Sequence, residues 1–495
     1  MFGHLEVDSE RPSFDQLKPA TSDALLFGFR RCHYFIAGNQ GLQKSQAFWE
    51  LLKLIFCKIH DERNNPQPDF YATSSERNGL SGALKVKARL DVRNDFPSIF
   101  KEGERIDLQP KVLTYLVSQL QMYSLLESDV DVKGRAYEEI VGSNLRGDRG
   151  EFFTPRNICE MAVAMLDPNE KDLILDPACG TGGFLITGMN HVIRKIWDAE
   201  MKKWGNASRA NQPIRDRIKR YASRYIVGLD FNPELVKATK MNMVMNNDGA
   251  GGLFQANSLE QPSQWSDDLR KRKLLGKVDL IVTNPPFGSK IPISDPSILE
   301  QYDLGHAWRY EGETDTWNKQ DGVLQKSQPP EILFIERCVA FLKPGGRCAL
   351  VLPDGILGSP GFGYVRDWII RHTKVLASID LHADTFQPHV SVQTSLLVLE
   401  KKTDELIALE TAAKQLNDYE IFMALANHIG HDKRGNKTYV RDKHGNEIIE
   451  EQTRQTVEWD DGDRLLKSQR VLEKVPDDNT QQIAQNFRAW LKQQE

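Results

Sequence analysis

The sequence predicts an α/β fold built on a parallel β-sheet, with a helical domain before it and a mostly helical extension after it. Two observations carry this prediction. From about residue 149 to 402, short apolar runs alternate with helical patterns, which is typical of a parallel sheet covered by helices on both faces. One of these runs leads through a glycine-rich turn into a helix, an arrangement that lets backbone approach a ligand closely.

Residues 1–148 are predicted to form the helical domain. Apolar residues recur at near-helical spacing over 47–59 and over 113–125, and a shorter pattern covers 135–140. We interpret these stripes as the core of a helical bundle. Residues 64–82 are rich in Asn, Pro, Ser and Gly, which predicts a loop between the helices.

Five apolar runs between residues 149 and 402 are candidates for buried strands. They are rich in Leu, Ile and Val, and turn formers or helical patterns separate them. The runs are 173–175, 225–227, 280–282, 348–352 and 395–399. In open sheets of this class, ligands bind beyond the carboxyl ends of the strands, so the residues that follow these runs are candidates for a site.

The final segment, residues 403–495, is polar and charged. Ile483, Phe487 and Leu491 recur at every fourth position and predict a terminal helix, from which we expect a mostly helical extension. Residues 431–441 within this segment are basic and rich in turn formers.

Composition excludes several classes of protein. A chain of 495 residues suggests about three domains, and its net charge of -5 argues against a uniformly basic nucleic-acid binder, though not against a local basic groove. The six cysteines form no C-x-x-C pair, which disfavours zinc ribbons and disulfide scaffolds and favours a reducing cytosol. We expect no bound metal, no signal peptide and no membrane span, and therefore a cytoplasmic protein.

The first candidate site follows the run at 173–175, where a tight turn joins a strand to a helix. The residues of this glycine-rich turn are Asp176, Pro177, Ala178, Cys179, Gly180, Thr181, Gly182, Gly183 and Phe184. It is not a P-loop, because no Lys-Ser/Thr follows the glycines. The acid Asp176 would repel a pyrophosphate but would suit a cationic ligand. A second acid, Asp230, follows the run at 225–227, at a position where a ribose hydroxyl pair is usually held.

A basic stretch lies between these two acids. Residues 194–224 contain ten Lys or Arg against three Asp or Glu. Two interpretations stay open for this stretch, a solvated helix face or a contact with nucleic-acid phosphates.

The second candidate site is the Asn-Pro-Pro-Phe turn, residues Asn284, Pro285, Pro286 and Phe287, after the run at 280–282. The two prolines stop the strand and fix a rigid turn. The amide oxygen of Asn284 and the carbonyl of Pro285 can both accept hydrogen bonds from one amino group. Phe287 offers a face for stacking a planar base, which is worth about 1–3 kcal/mol. The pattern therefore predicts a pocket for a planar amine.

At these residues the sequence resembles the S-adenosylmethionine-dependent amino-methyltransferases of DNA, and among them the modification subunits of type I restriction-modification systems. The resemblance covers most of the chain and is strongest over 137–401. Residues 176–184 are similar to the cofactor loop of that family, and 284–287 to the catalytic tetrapeptide of adenine-N6 enzymes. Asp230 stands where the family has its ribose-binding acid. The resemblance implies a Rossmann-like S-adenosylmethionine-dependent methyltransferase domain at 149–402.

The resemblance assigns further cofactor contacts. A segment that in the family closes over the methionine part of the cofactor is similar to Glu151, Phe152, Phe153, Thr154, Pro155 and Arg156. Where the family often has an Asp near the cofactor adenine, this chain has Asn257, followed by Ser258. An amide can still exchange hydrogen bonds with the adenine edge.

The family also implies a reaction. The target adenine is flipped out of duplex DNA, because its amino group is unreachable inside the stack. Phe287 then stacks on the base, while Asn284 and the carbonyl of Pro285 grip the N6 amine in line with the methyl group. Catalysis is mainly positioning and electrostatics.

Partners are implied as well. The insert at 289–330 is expected to be a mobile loop, too small to read a DNA sequence. The resemblance therefore implies a separate DNA-specificity subunit, a second copy of this chain and, in some complexes, a restriction subunit. The segments 1–148 and 403–495 would bind that partner or clamp DNA.

Three alternatives remain open. The chain could be a stand-alone adenine methyltransferase whose tail reads DNA. It could methylate a glutamine amide of a protein, although such enzymes typically have Tyr in place of Phe287 and lack a segment like 151–156. It could also be a non-catalytic cofactor-binding scaffold in a defence complex, against which the intact 284–287 turn argues.

Overall fold

An eight-stranded sheet with helices on both faces lies at the centre of the chain. The computed structural model describes residues 13–20, 22–72, 99–100, 104–126, 128, 136–137, 141, 153–205, 207–245, 252–288, 291–387, 391–460 and 463–494. Within these ranges, every helix is too short or too polar to cross a lipid bilayer.

Helices lie before the central sheet, between its strands and after it. The α-helices of the described residues are α1 Ser22–Gln40, α2 Lys44–Asn64, α3 Pro110–Leu120, α4 Arg156–Leu166, α5 Gly183–Trp204, α6 Ala207–Arg224, α7 Pro233–Met245, α8 Asp267–Lys271, α9 Pro296–Leu299, α10 Pro330–Phe341, α11 Asp354–Gly358, α12 Gly363–His372, α13 Asp404–Ala413 and α14 Thr480–Gln494.

The strands form the central sheet and three two-stranded pairs. They are β1 Lys18–Pro19, β2 Tyr123–Ser124, β3 Ile174–Asp176, β4 Ile226–Asp230, β5 Leu253–Gln255, β6 Val278–Thr283, β7 His306–Glu311, β8 Thr316–Leu324, β9 Leu342–Pro353, β10 Thr373–Leu381, β11 Thr394–Lys401, β12 Phe422–Ala426, β13 Ile449–Asp460 and β14 Asp463–Lys474. All five predicted apolar runs contribute to strands of the central sheet.

The central sheet is mixed, which corrects the prediction of a parallel one. Its order is β12-β10-β11-β9-β6-β3-β4-β5, and β11 runs antiparallel to both of its neighbours. The other pairs are parallel. Between β10 and β11 the described residues contain no helix, and a strand that returns without a crossover helix pairs antiparallel.

Two apolar layers cover the sheet, as predicted for strands that are apolar throughout. One layer lies under α4, α5 and α14 and the other under α8, α10 and α12. In β9, alternate residues such as Ala349 and Leu350 enter opposite layers, and both are fully buried. A strand buried on both faces needs a continuous apolar run, which explains why these segments show no polar alternation.

The N-terminal helices form a bundle whose core extends onto α7. Phe29 of α1, Leu51 of α2 and Leu116 of α3 share one apolar cluster with Met241 of α7. The stripes over 47–59 and 113–125 are therefore confirmed as core. The pattern at 135–140 and the boundary at 148 lie largely outside the described residues, and the boundary stays a prediction.

The C-terminal segment contains as much strand as helix, so the expectation of a mostly helical extension was wrong. The terminal helix α14 forms as predicted, but β12 joins the central sheet beside β10, and β13 pairs with β14 in a long hairpin. The sequence Asp461-Gly462 between the two hairpin strands is a known hairpin signal that the helical interpretation overlooked. Phe487 of α14 packs its ring against Phe422 of β12, so both ends of the segment contact the sheet.

The insert expected to be a mobile loop at 289–330 is folded over its described residues, 291–330, and this corrects the expectation: it contains the short helix α9 and the hairpin of β7 and β8. Ile293 and Gln328 close its base by exchanging two backbone hydrogen bonds of 2.8 Å. The hairpin strands β7 and β8 pack through Trp308 and Trp317 against Tyr364 of α12, with ring centroids 6.0 Å apart in both cases. These aromatic contacts fix the hairpin on the body of the domain.

The basic stretch at 194–224 occupies the second half of α5 and all of α6. The α5 helix begins at the carboxyl end of β3 and runs back toward the amino end of that strand. There Lys195 of α5 pairs with Asp167, which precedes β3 in the chain, at 2.6 Å. The stretch therefore lies at the edge of the sheet opposite to the ligand-binding edge. Arg217 pairs with Glu200 at 2.6 Å, so part of the positive charge of the stretch is neutralised within the fold. This geometry favours the interpretation as a helix face over a contact with DNA at the site.

Candidate active site

The predicted site residues meet at the carboxyl edge of the sheet, where the strand order reverses. Asp176 ends β3, Asp230 ends β4, and Asn284 directly follows β6. Since β4 and β6 lie on opposite sides of β3, the chain turns away from β3 in both directions and leaves a crevice there. Crevices at such switch points are where open α/β sheets bind ligands.

The glycine-rich turn is held in shape by α7. Gly180 and Gly182 have positive φ angles of 53° and 84°, which glycine adopts at little cost. A Cβ on Gly182 would lie 2.6 Å from the methyl carbon of Thr239, so no larger residue fits there. The Thr239 hydroxyl donates to the carbonyl of Gly180 at 2.6 Å, and Asn242 donates to that of Thr181 at 3.2 Å.

Other residues of the turn serve mainly in packing. Phe184 is buried in the apolar layer beneath α5, and Gly183 begins that helix. The carbonyl of Pro177 accepts a 2.6 Å hydrogen bond from the buried hydroxyl of Ser258, which joins the turns after β3 and β5. Burial raises the pKa of the Cys179 thiol, in keeping with a packing role.

The two acids differ in environment. Asp230 is half-buried, and its carboxylate accepts the backbone N–H groups of Gly180 at 2.9 Å and of Asn232 at 2.8 Å. Asp176 is only 1% exposed. Burial raises its pKa to about 7, the Asp230 charge adds to this, and the Thr283 hydroxyl and a backbone N–H oppose it. A cationic ligand in the crevice would favour the charged form of Asp176.

Phe231 is a candidate contact that the sequence reasoning missed. It directly follows Asp230, and 65% of its surface is exposed, which is unusual for a phenylalanine. An exposed aromatic ring beside the crevice provides a stacking face for a planar group. The signal was available in the sequence, since the aromatic residue stands next to the acid that ends β4.

The turn after β5 holds Asn257 in a local hydrogen-bond pattern. Its amide oxygen accepts the N–H of Leu259 at 3.1 Å, and its amide nitrogen lies 3.4 Å from the Glu260 carboxylate. The buried Arg337 fixes the same turn from α10, since it donates to the Glu260 carbonyl at 3.1 Å and to the Tyr302 hydroxyl at 2.7 Å. Sequence motifs gave no sign of this arginine.

The Asn-Pro-Pro-Phe turn contacts the segment before α4. The amide nitrogen of Asn284 donates to the Thr154 hydroxyl oxygen at 3.1 Å, which turns the amide oxygen to the other side. Pro285 is buried and Pro286 half-buried in the turn. Thr154 was predicted only as a cofactor contact, so its position beside Asn284 is a second finding that the motifs did not reveal.

Phe287 lies deeper than a stacking platform requires. Only 3% of its surface is exposed, and its ring meets Phe386 edge to face with centroids 6.2 Å apart. Stacking of a base on Phe287 would need more of its ring surface to be exposed than the 3% seen here.

The predicted segment 151–156 is described only from Phe153 onward. Phe153 packs against the N-terminal core, Pro155 precedes the first turn of α4, and Arg156 pairs with Glu160 at 3.3 Å. Glu151 and Phe152 lie outside the described residues. Among the residues that the structure does describe, no group of three or more His, Cys, Asp or Glu side chains could hold a metal ion.

Comparison with known proteins identifies the family. The model of the N-6 DNA Methylase family matches residues 128–494. The methylase subunit of the type I restriction enzyme EcoEI from Escherichia coli is 26% identical over 405 residues, which cover 72% of this chain and 71% of that protein. The StySPI methylase subunit from Salmonella potsdam is 27% identical over 63% of this chain, which spans only 55% of that relative.

Solved structures show the same fold. The type I restriction-modification methyltransferase subunit from Streptococcus thermophilus has a TM-score of 0.51 at 15% identity, covering 81% of this chain and 95% of that one. A chain from a structural study of type I system assembly has a TM-score of 0.52 at 22% identity, covering 77% and 75%. These likenesses confirm the Rossmann-like methyltransferase fold. With the family model matching most of its length, the chain belongs to the N-6 DNA methylase family, and its relatives include methylase subunits of type I restriction enzymes.

Proposed function

We propose that this chain transfers a methyl group from S-adenosylmethionine to the N6 amine of adenine in DNA, as the modification subunit of a type I restriction-modification system. The observation that carries the proposal is the meeting of the glycine-rich turn and the Asn-Pro-Pro-Phe turn at one switch point of the sheet. Family membership and the relationship to type I methylase subunits support it.

The residues at the crevice fit S-adenosylmethionine. A Cβ on Gly180 would meet nothing within 4 Å, so there is open space beside the turn. Asp230 is placed to accept a ribose hydroxyl pair, since each carboxylate oxygen can accept more than one hydrogen bond. The exposed ring of Phe231 offers a face for the adenine of the cofactor. When bound, the cofactor supplies an electrophilic methyl group on a sulfonium sulfur.

The second turn fits the amine that receives this methyl. The amide oxygen of Asn284 and the carbonyl of Pro285 accept hydrogen bonds from the two N6–H groups, which directs the nitrogen lone pair toward the crevice. Such positioning contributes much of the rate when a reaction needs alignment more than acid or base catalysis. Phe287 receives the flipped base once its ring, which is 3% exposed here, has been uncovered.

Partners belong to the proposal as well. DNA, a specificity subunit and a second copy of the chain are the proposed partners, with a restriction subunit in the nuclease complex. The net charge of -5 and the position of the basic stretch away from the ligand-binding edge support a division of DNA binding between this chain and another subunit. The cytoplasm, where DNA is available, is the proposed location.

A methyl-transfer assay tests the function. The chain, alone and together with a candidate specificity subunit, is given S-adenosylmethionine with a labelled methyl group and duplex DNA, and methylated adenines are mapped. Site-specific N6-methyladenine that requires both proteins is expected. Equal methylation by the chain alone would identify a stand-alone enzyme. Cofactor binding without transfer to DNA would identify a scaffold.

Replacing the exposed Phe231 by alanine should weaken S-adenosylmethionine binding. Loss of one stacking contact is worth about 1–3 kcal/mol, or roughly 5- to 150-fold in Kd. Folding stability should change little because the ring is mostly exposed. The control is Phe27→Ala on α1, an equally large exposed ring far along the chain in the helical domain. Calorimetric titration giving the same Kd for both variants would show that Phe231 is not a cofactor contact.

A further inference from the structure

A short sequence occurs twice between β12 and the hairpin of β13 and β14. Residues 432–436 read Asp-Lys-Arg-Gly-Asn, and residues 442–446 read Asp-Lys-His-Gly-Asn. Both form tight turns in which the glycine has a positive φ, 79° for Gly435 and 85° for Gly445. We call 432–436 and 442–446 the twin turns. The candidate active site does not include them.

The aspartates of the twin turns face the backbone of their own turn. In the first turn, the Asp432 carboxylate accepts the N–H groups of Arg434 at 2.8 Å and of Asn436 at 2.9 Å. Asp442 makes the equivalent two bonds in the second turn, at the same two distances. These bonds fix the shape of both turns, and they hold the negative charges against backbone N–H groups.

Backbone pairing places the two turns on a common base. Thr438, which lies between the turns, donates its N–H to the Gly430 carbonyl at 2.9 Å and accepts the N–H of Asp477 at 3.0 Å. Val440 donates to the carbonyl of Val475 at 2.9 Å. The twin turns therefore project from a small paired unit.

The conformation of the turns explains their Asp, Gly and Asn residues, but not the basic residues among them. The central positions of a common β-turn accept most residue types. Four exposed cations nevertheless lie in or directly after the turns, namely Lys433, Arg434, Lys437 and Lys443. Over the described residues these four form no ion pair, whereas the neighbouring Arg441 and Glu447 pair at 3.3 Å. The twin turns thus present positive charge that the fold itself does not use.

The twin turns belong to a segment that begins and ends at the ligand-binding edge of the sheet. Strand β12 is parallel to β10, and two antiparallel steps through β11 make both parallel to β6, so β12 ends at the same edge as β6. The chain returns in α14, which runs beside α4 in the same direction. Gln481 lies 3.5 Å from Glu160 near the start of both helices, and Arg488 pairs with Asp167 at 2.5 Å near their ends.

Asn157 connects this segment to the active site. Its amide nitrogen donates to the carbonyl of Ile429 at 3.0 Å and to the carboxylate of Asp478 at 2.8 Å. Asn157 stands three residues after Thr154, which accepts a hydrogen bond from Asn284. The first turn begins three residues after Ile429, and each of these three-residue steps spans at most about 11 Å. Both are short beside one turn of duplex DNA, which is about 34 Å long.

Nucleic acid fits this surface better than a protein partner does. The exposed residues between 431 and 447 are all polar, charged or glycine. Protein interfaces are depleted in lysine and enriched in aromatic residues at their centres, whereas phosphate oxygens are contacted largely by Lys and Arg.

We propose that the twin turns bind the phosphate backbone of duplex DNA beside the target adenine. The inference rests on the proposed function and adds to it the surface with which this chain holds DNA. The four cations contact phosphates and read no bases. Each phosphate that they neutralise releases counterions, so their contribution to binding falls as salt rises.

The test compares two surfaces of equal charge. In the test variant, glutamine replaces the four cations of the twin turns: Lys433→Gln, Arg434→Gln, Lys437→Gln and Lys443→Gln. The control variant removes the same kinds of charge from exposed positions of α5 and α6, at the opposite edge of the sheet: Lys202→Gln, Lys203→Gln, Lys219→Gln and Arg220→Gln. The Kd of the complete DNA-methylating complex is measured over a range of salt concentrations, for labelled duplexes with and without the methylated site.

The salt dependence is the decisive measurement. Each lost phosphate contact should reduce the slope of log K against log salt concentration by about 1, so the test variant should lose about 2 to 4 and the control none. The Kd should rise about tenfold or more on both duplexes, because phosphate contacts do not depend on sequence. Melting temperatures should stay at the wild-type value, since all the positions are exposed. If the fourfold variant does not fold, Arg434→Gln alone should still lose about 1 in slope.

Three results would contradict the role of the twin turns. An unchanged slope and Kd in the test variant, or an equal loss in the control, overturns the binding of phosphate at this surface. A test variant that no longer assembles with the specificity subunit in the absence of DNA overturns it as well, because the surface would then bind a protein. The proposed function fails separately, if the wild-type complex transfers no methyl to DNA.

Discussion

Replacing Asn284 by alanine should reduce methyl transfer to adenine by about 10²- to 10³-fold, the usual effect of removing one preorganised polar group at a reacting centre. The amide nitrogen of Asn284 donates to the Thr154 hydroxyl, and the amide oxygen is the acceptor that we propose for the N6 amine. Cofactor affinity should stay within about twofold, because the side chain faces the amine and not the glycine-rich turn. Single-turnover transfer of labelled methyl measures the first effect and calorimetric titration the second.

Variants of Thr154 provide the control for Asn284. Thr154→Ser keeps the hydroxyl that accepts from the Asn284 amide and should retain nearly the full rate. Thr154→Val keeps the shape but not the acceptor, and a partial loss is expected. Full methylation by Asn284→Ala would contradict the assignment of the turn, and equal effects of both Thr154 variants would show that the hydroxyl does not orient the amide.

The sheet and the location of the site could be predicted because both follow from local sequence. A strand buried on both faces is apolar throughout, so runs such as 348–352 are visible without any knowledge of their neighbours. Asp176, Asp230 and Asn284 each follow such a run, and parallel strands bring their carboxyl ends to one edge. The apolar runs therefore place the three residues at one edge of the sheet, and the strand order β6-β3-β4 makes them neighbours there.

The direction of β11 and the form of the C-terminal segment could not be read in this way. The apolar run at 395–399 is the same whichever way the strand points, and only the missing crossover helix decides it. In the C-terminal segment, the clear helical spacing of Ile483, Phe487 and Leu491 was extended to a region that instead forms a hairpin. The Asp461-Gly462 pair, which is typical of a two-residue hairpin turn, predicts the observed hairpin correctly.

Contacts between distant segments were also beyond the motifs. Thr154 meets Asn284, and Phe386 meets Phe287 edge to face, although each pair is widely separated in the chain. A motif shows which residue types are present, but the neighbours that orient or bury them depend on how the layers pack. The stacking role of Phe287 illustrates this, since its burial makes uncovering of the ring a requirement of the proposed reaction.

Replacing Gly182 by alanine should remove most cofactor binding, because the new Cβ would lie 2.6 Å from the Thr239 methyl carbon at a φ of 84°. The left-handed conformation costs a non-glycine residue about 1–2 kcal/mol, and overpacking adds about 1–3 kcal/mol. Relief of the clash displaces Thr239, whose hydroxyl holds the Gly180 carbonyl. Since cofactor binding must restore the turn, an affinity loss of at least about tenfold is expected, the equivalent of 1.4 kcal/mol.

Two further variants separate the steric contact from the backbone cost. Gly205→Ala, at the end of α5, meets a similar φ of 63° with nothing within 4 Å, so it should lose some stability and keep its cofactor affinity. The double variant Gly182→Ala/Thr239→Ser removes the clashing methyl but keeps the hydroxyl on Gly180, and it should bind the cofactor more tightly than Gly182→Ala alone. Calorimetric titration of the cofactor decides between the two explanations. If the double variant binds the cofactor no more tightly than Gly182→Ala, backbone strain in the turn, and not the contact with α7, explains the requirement for glycine.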